Sequence, residues 1–443
     1  MAYEYETVST LSAKFRDGTT TAVRESAAAR QAARESGPVF ITIAEDDSAA
    51  TTSDERLQAG TPRSVLEGIP VAIKDVIDTA GMYTTMGSNL FTDNIPDEDA
   101  TIVKQLREAG ANIIGKTNTH EFSYGIRGDA SAYGVVPNPH DDSRVAGGSS
   151  SGSAAAVARG IVPVAVGTDT AGSIRVPAAL CGAVGFKPTF DLLSTDGIFP
   201  LAKSFDTTGF LGTSVRDISL TLDALGLEGF SPTSDHADDL VLRRLQGNPA
   251  LPAELPDEDE IQTIPDVIDA PDIFHPSFDG STADFRTLFN TIRSREAYVL
   301  HKPYLASEST RRQYQPLTLE RLDGDADSTD EEAEYALARI QEISERYLEE
   351  FADVDILLTP TVPIDAPPRD EEPGEGSEVL VSLSVVWNVL GWPALTIPYW
   401  NPGDPLPKSV QVIGKPGRDA DVLRAGQHLE DLLAKQNQIL SAS

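Results

Sequence analysis

Lysine, cysteine and long apolar runs are all scarce in this chain. Ten lysines and 25 arginines face 69 Asp and Glu, for a net charge of −34 and a pI near 4.4. Too few cations remain to neutralise a run of phosphates, which excludes a nucleic-acid surface and an anionic membrane surface. One cysteine, Cys181, excludes an internal disulfide framework and any multi-thiolate metal site. Its setting, AALCGAVG, reads as a small buried apolar residue rather than a nucleophile. The longest apolar candidate, Ala154 to Val166, is interrupted by Arg159 and Pro163 and falls short of the roughly 18 residues of a membrane span. MAYEYETVST lacks the basic and apolar segments of a signal peptide. The expectation is a cytoplasmic protein with no metal, no cofactor and no membrane partner.

What is present argues for a folded enzyme. Hydrophobic residues make up 40% of the 443, with 15 Phe, 11 Tyr and 3 Trp, too many for an acidic disordered chain. The carboxylates therefore read as a coat on a folded body, suited to the salty cytoplasm of a halophilic organism. Helical and strand patterns alternate, so the class is α/β. Helices are expected over 20–36, closed by Gly37, and 101–108, ended by Gly110. A third, over 329–351, opens on Thr329 and Glu332 in capping-box spacing, with Leu337, Ile340, Tyr347, Leu348 and Phe351 on its apolar face. PVAIKDVI, ANIIG, VDILLTP, PALTIP and SVQVIG read as strands, and 421–440 as a closing helix. Length allows about three domains. No clean linker divides the chain, so one domain is expected over 1–443. Its parts are an N-terminal helical region (1–60), a catalytic core (70–220), an acidic variable middle (225–330) and a C-terminal part completing the sheet (331–443).

Two motif matches fail on context. Gly110, Gly115, Lys116 and Thr117 spell a P-loop, but the order is helix, glycine, strand instead of strand, loop, helix. Gly148 to Gly152 spells G-x-S-x-G, yet the polar NPHDDSRVA precedes it where a nucleophile elbow needs a buried strand. The later histidines, His236, His275, His301 and His428, sit in ordinary polar contexts. An α/β-hydrolase esterase is therefore a remote alternative.

Composition singles out a third segment. Residues 147–188 hold one acid, Asp169, and three bases, Arg159, Arg175 and Lys187. With +2 there, the remainder carries −36 of the total −34. Burial explains the Ala and Val content but not the hydroxyls and glycines at both ends. A helix from about Ser150 to Arg159 rises about 15 Å, and a strand from about Val162 to Gly167 returns roughly 17 Å. Ser149 and Ser173 can therefore meet, with TDTAGS offering consecutive N–H groups to an oxyanion.

GGSSSGSAAAVARG and VGTDTAGSIRVPAALCGAVGFKPT closely resemble the core of the amidase signature family. GIPVAIKDVIDTAGMYTTMGS resembles its lysine segment, and GKTNTHEFSYG, DILLTPTVP, NVLGWPALTIP and VQVIGKPG extend the likeness over most of 37–430. The resemblance implies a large mixed, twisted β-sheet covered by helices on both faces, and a Ser-cisSer-Lys triad. In that triad Ser173 is the nucleophile, Ser149 the bridging serine and Lys74 the general base. It further implies an oxyanion hole of backbone N–H groups from Thr170, Ala171, Gly172 and Ser173, supported by Ser150, Asp169 and Arg175. Ala171 and Ser151 stand where the family more often has glycine, which puts loop geometry in question if positive φ is needed. The implied activity is hydrolysis of a small-molecule carboxylic amide, releasing ammonia or an amine. TAGSIRVPA resembles the free-standing amidases, including those acting on ureido acids, and a homodimer is compatible with that reading. The alternative is the glutaminase subunit of a tRNA-dependent amidotransferase, which needs a partner subunit; a non-catalytic binding member is remote. Lys74 must lose roughly three pKa units to work at neutral pH. Burial lowers it and the acidic field raises it, so activity is expected to depend on salt partly through Lys74.

Overall fold

The computed structural model describes residues 6–232, 237, 239–246, 262–274 and 282–442. His236 and His275, and much of the acidic cluster 235–260, lie outside them. The strands are β1 (Phe40–Ile43), β2 (Pro70–Lys74), β3 (Asn112–Thr117), β4 (Val164–Asp169), β5 (Val184–Lys187) and β6 (Thr207–Gly212). They continue with β7 (Leu242–Gln246), β8 (Asp272–Phe274), β9 (Ile356–Pro360), β10 (Ala394–Tyr399) and β11 (Lys408–Gly414). All eleven join one sheet in the order β1-β3-β2-β4-β6-β5-β10-β11-β9-β7-β8. It is mixed: β2 runs parallel to both β3 and β4, β7 parallel to β8 and β9, and the other pairs are antiparallel.

The helices in chain order are α1 (Val8–Arg16), α2 (Ala22–Glu35), α3 (Ser48–Gln58), α4 (Thr101–Ala109), α5 (Ser151–Ala158), α6 (Arg175–Cys181) and α7 (Val215–Ala224). After them come α8 (Thr282–Leu305), α9 (Glu308–Arg311), α10 (Pro316–Gly324), α11 (Asp330–Glu350), α12 (Ser377–Val381), α13 (Val385–Val389) and α14 (Asp419–Ala442). They cover both faces because the central strands are apolar on both. Val71, Ile73, Val164 and Val166 pack in the cluster that includes Val422 and Leu429 of α14. The intervening Ala72 and Ala165 pack against the alanines of α5 and α6. Small residues on that second face let α5, buried all round, lie close against the strands. The chain is thus α/β, with the large mixed sheet and two-sided helical cover expected of it.

The sheet also crosses the expected regional divisions. The N-terminal region holds a strand besides its helices, and β1 pairs antiparallel with β3. The acidic middle contributes β7 and β8 to one edge, and α8 to the wall of the central cleft. The glycine turn at 110 is as expected: Gly110 has φ +103°, and a Cβ there would lie 2.8 Å from Glu67 Cα. Lys116 of the P-loop look-alike sits buried on β3, donating to Thr84 Oγ1 at 2.6 Å and lying 3.2 Å from Asp75. One expectation fails in α11. The capping box is present, but Leu337 and Leu348 are 41% and 40% exposed. The buried stripe is Ala333, Ala336, Ile340, Ile343 and Tyr347. Two alanines carry the helical phase, and each leucine lies one residue, about 100° of rotation, beyond it.

Candidate active site

Lys74 is the last residue of β2, and the parallel register (Ile73 opposite Val166) carries it alongside the end of β4. Its side chain is fully buried. Nζ donates to Ser149 Oγ and to Thr168 Oγ1, each at 2.7 Å. Burial pulls its pKa down to about 7, opposed by the negative charges of Asp206 and then Asp169. Ser149 follows a cis Gly148–Ser149 peptide bond. Its carbonyl accepts from His120 N at 3.1 Å and Thr119 Oγ1 at 3.0 Å.

The out-and-back path of α5 and β4 brings the two hydroxyl-rich turns together, as their lengths implied. Ser150 N donates to Ser173 O at 3.2 Å. Ser150 is itself buried, its Oγ donating to Thr168 O at 3.3 Å. The helix begins at Ser151 and the strand at Val164, one and two residues later than the sequence pattern suggested.

Asp169 organises the second turn. Its carboxylate accepts from Gly172 N at 2.8 Å, Ile174 N at 3.1 Å and Asn388 Nδ2 at 2.8 Å, and from two nitrogens of Arg175 at 2.9 and 3.0 Å. Although burial opposes ionisation, the Arg175 charge and these bonds hold its pKa far below the usual carboxylate range. Arg175 continues to Gln411 Oε1 at 2.7 Å and Ser384 O at 3.0 Å. The turn is thus bolted to α13 and β11.

This network distinguishes the N–H groups of the turn. The Gly172 N–H is taken by Asp169, whereas no such bond to that carboxylate engages the N–H groups of Thr170, Ala171 or Ser173. Gly172 is required for shape: its φ is +128°, and a Cβ would meet Ser384 Oγ at 2.3 Å. Ala171 and Ser151 do not have positive φ, so neither position needs glycine's freedom.

Sequence reasoning missed several residues around the turn. Thr168 shares the lysine. Asp206 accepts from Thr170 Oγ1 at 2.6 Å and from the N–H groups of Leu201 and Ala202, and its burial raises its pKa to about 6. Asn388 and Ser384 clamp the loop from α13 and the turn before it. Asn388 lies in NVLGWP, read only as a family mark, whereas nothing in the local pattern around Asp206 announced a partner for Thr170. Trp387 and Trp392 pack in the core, and Cys181 is buried as expected.

Two cavities meet at this centre. One, of about 290 Å³, is lined by Thr170, Ala171, Ser173 and residues of α8, α10 and α12. The other, of about 430 Å³, is lined by Thr168, Lys203, Asp206 and the loop 195–201. Ser123 and Leu201 border both. Among the described residues no helix is long and apolar enough to cross a membrane.

The Amidase family model matches residues 20–242 and 278–423. The chain is 33% identical over 438 residues to a glutamyl-tRNA(Gln) amidotransferase subunit from Alkaliphilus metalliredigens, covering 89% of each. A crystal structure of an amidase superposes with a TM-score of 0.84 at 30% identity, covering 97% of this chain and 100% of that one. The corresponding glutamyl-tRNA(Gln) amidotransferase subunit from Thermotoga maritima superposes with a TM-score of 0.67 at 28% identity, covering 83% of this chain and 84% of that one. With most of its length matched by the family model and by full-length relatives, this chain belongs to the amidase family and is a hydrolase acting on amide C–N bonds.

Proposed function

We propose that the chain cleaves a carboxylic amide through an acyl-enzyme on Ser173. The observation that carries this reading is a lysine amine with a pKa near 7 held 2.7 Å from the Ser149 hydroxyl. Neutral Lys74 takes the Ser149 proton while Ser149 takes that of Ser173, whose Oγ attacks the amide carbon. N–H groups of Thr170, Ala171 and Ser173 receive the oxyanion. The proton returns along the same path to the leaving nitrogen, and ammonia or an amine departs. Water, deprotonated by the same relay, then releases the acid.

Two versions share this chemistry. The name of the Alkaliphilus relative supports a glutaminase subunit that works beside a partner, more directly than the free-standing enzyme suggested by TAGSIRVPA. The fuller superposition on the amidase, 0.84 against 0.67, supports the free-standing version. Fluorophosphonate labelling followed by mass spectrometry tests the nucleophile: the adduct is expected on Ser173, and folded protein that stays unlabelled there refutes the mechanism. Ammonia release from a panel of amides, glutamine included, and co-purification of a second subunit separate the two versions.

A further inference from the structure

Chemistry decides which of the two cavities at the centre takes which half of the amide. The proton that departs with the amine comes from the Ser149 hydroxyl, which Lys74 Nζ holds at 2.7 Å. The scissile nitrogen must come within hydrogen-bond reach of that hydroxyl, on the lysine side of Ser173. The 290 Å³ cavity is lined by Ser173, Thr170 and Ala171, which suits it to the acyl carbon and its oxygen. The 430 Å³ cavity is lined by Thr168, which shares Lys74 Nζ at 2.7 Å, and so lies on the lysine side. Ser123 borders both, its buried hydroxyl without a partner among the described residues, at the junction that a bond between the two halves would cross.

This lysine-side cavity is far larger than ammonia needs. A water-sized molecule takes about 10–15 Å³ of such space, against 430 Å³. Its wall is largely apolar, with Ile198, Phe199, Pro200, Leu201 and Leu300 among the lining residues. The Phe199 ring is fixed by contacts with Phe91, Phe122 and His301, at centroid distances of 5.7, 5.3 and 5.7 Å. A preformed apolar wall around a few polar groups is the usual make-up of a small-molecule site. Among the described residues, no buried ion of this lining is free. Asp206 is buried, but its oxygens already accept from Thr170 Oγ1 and from the N–H groups of Leu201 and Ala202. Lys203 and Asp196 are exposed to solvent.

We propose that this cavity seats the leaving amine, so that the amide cleaved is N-substituted, with an uncharged aryl or aralkyl group on its nitrogen. This deepens the amidase reading and rests on Ser173 being the nucleophile. The same seat supports the reverse reaction. An amine held there attacks the carbonyl carbon of the acyl-enzyme, and the bond from that carbon to the Ser173 oxygen breaks. The amine proton reaches the departing oxygen through the Ser149–Lys74 relay, which leaves an N-substituted amide and free enzyme.

The test compares butanamide, N-methylbutanamide and N-benzylbutanamide, which share one acyl group. Burial of the ring predicts that N-benzylbutanamide exceeds N-methylbutanamide in kcat/KM by about 10- to 100-fold. L300W, which fills the cavity from α8, is expected to collapse that ratio, and L300A to retain most of it. With 4-nitrophenyl butanoate as acyl donor, benzylamine should capture the acyl group as N-benzylbutanamide. That capture should saturate, at a free-base concentration about 10- to 100-fold below the one methylamine requires. It is read on the wild-type enzyme and stands whether or not L300W folds. Turnover of N-benzylbutanamide no faster than that of the two smaller amides would overturn the seat and leave the cavity a passage for ammonia. Capture that rises linearly with benzylamine, or an unchanged ratio in L300W that still labels at Ser173, would overturn it as well. Absence of fluorophosphonate labelling on wild-type Ser173 would instead overturn the mechanism beneath it.

Discussion

A lysine serves as a base only when its surroundings make the neutral amine cheap to form. Full burial does that for Lys74, and the two charges that resist, Asp206 and Asp169, are themselves buried close by. The base must be neutral, so kcat/KM should rise with pH through a midpoint near 7. Asp206 holds that midpoint up. Removing its charge with D206N should therefore move the acid limb to lower pH, and a profile unchanged in position would show that the carboxylate does not act on Lys74. An asparagine can keep one oxygen on the Leu201 and Ala202 N–H groups and turn its NH2 to Thr170 Oγ1, a hydroxyl able to accept. A stability loss of no more than about 1.5 kcal/mol is expected in chemical denaturation.

At the scale of elements, the nucleophile turn is a short bridge between β4 and α6 whose shape depends on clamps from distant segments. G172A would drive a methyl group into Ser384 and demand φ +128° of an alanine. Displacing the turn by even about 1 Å should cost about 100-fold in kcat, while circular dichroism shows the fold retained. On the surface, α11 offers a simpler case. T329A removes the hydroxyl that accepts from Glu332 N at 3.2 Å, while the Thr329 N–H keeps its bond to the Glu332 carboxylate, and should lower stability by about 1 kcal/mol without altering kinetics, as paired denaturation and rate measurements can show.

For the whole molecule, a net charge of −34 is a self-repulsion that salt screens as the Debye length falls from about 10 Å at 0.1 M to about 3 Å at 1 M. The structure changes where that salt dependence belongs. The charges opposing Lys74 are buried neighbours, which mobile ions screen poorly, so the acid limb should keep its midpoint near pH 7 from about 0.1 M to about 1 M salt. Tm should rise over the same range. A limb that shifts with salt while Tm stays constant would return the effect to the lysine.

Local pattern carries the parts of this protein that depend on neighbours in the chain. The helix stop at Gly110, the α11 cap, the apolar strands and the two hydroxyl-rich turns were all legible, because backbone conformation and burial phase are written over a few residues. The motif match named Lys74, Ser149 and Ser173 together. The chain alone could not show that Asp169 withdraws the Gly172 N–H, that Asp206 faces Thr170, or that Arg293 and Arg321 converge on Tyr124. Residues 169 and 388, 170 and 206, and 124, 293 and 321 are remote in sequence. Only the closing of the sheet and the packing of α8, α10 and α13 around it set their distances, and distance decides which donors are free and which charges meet.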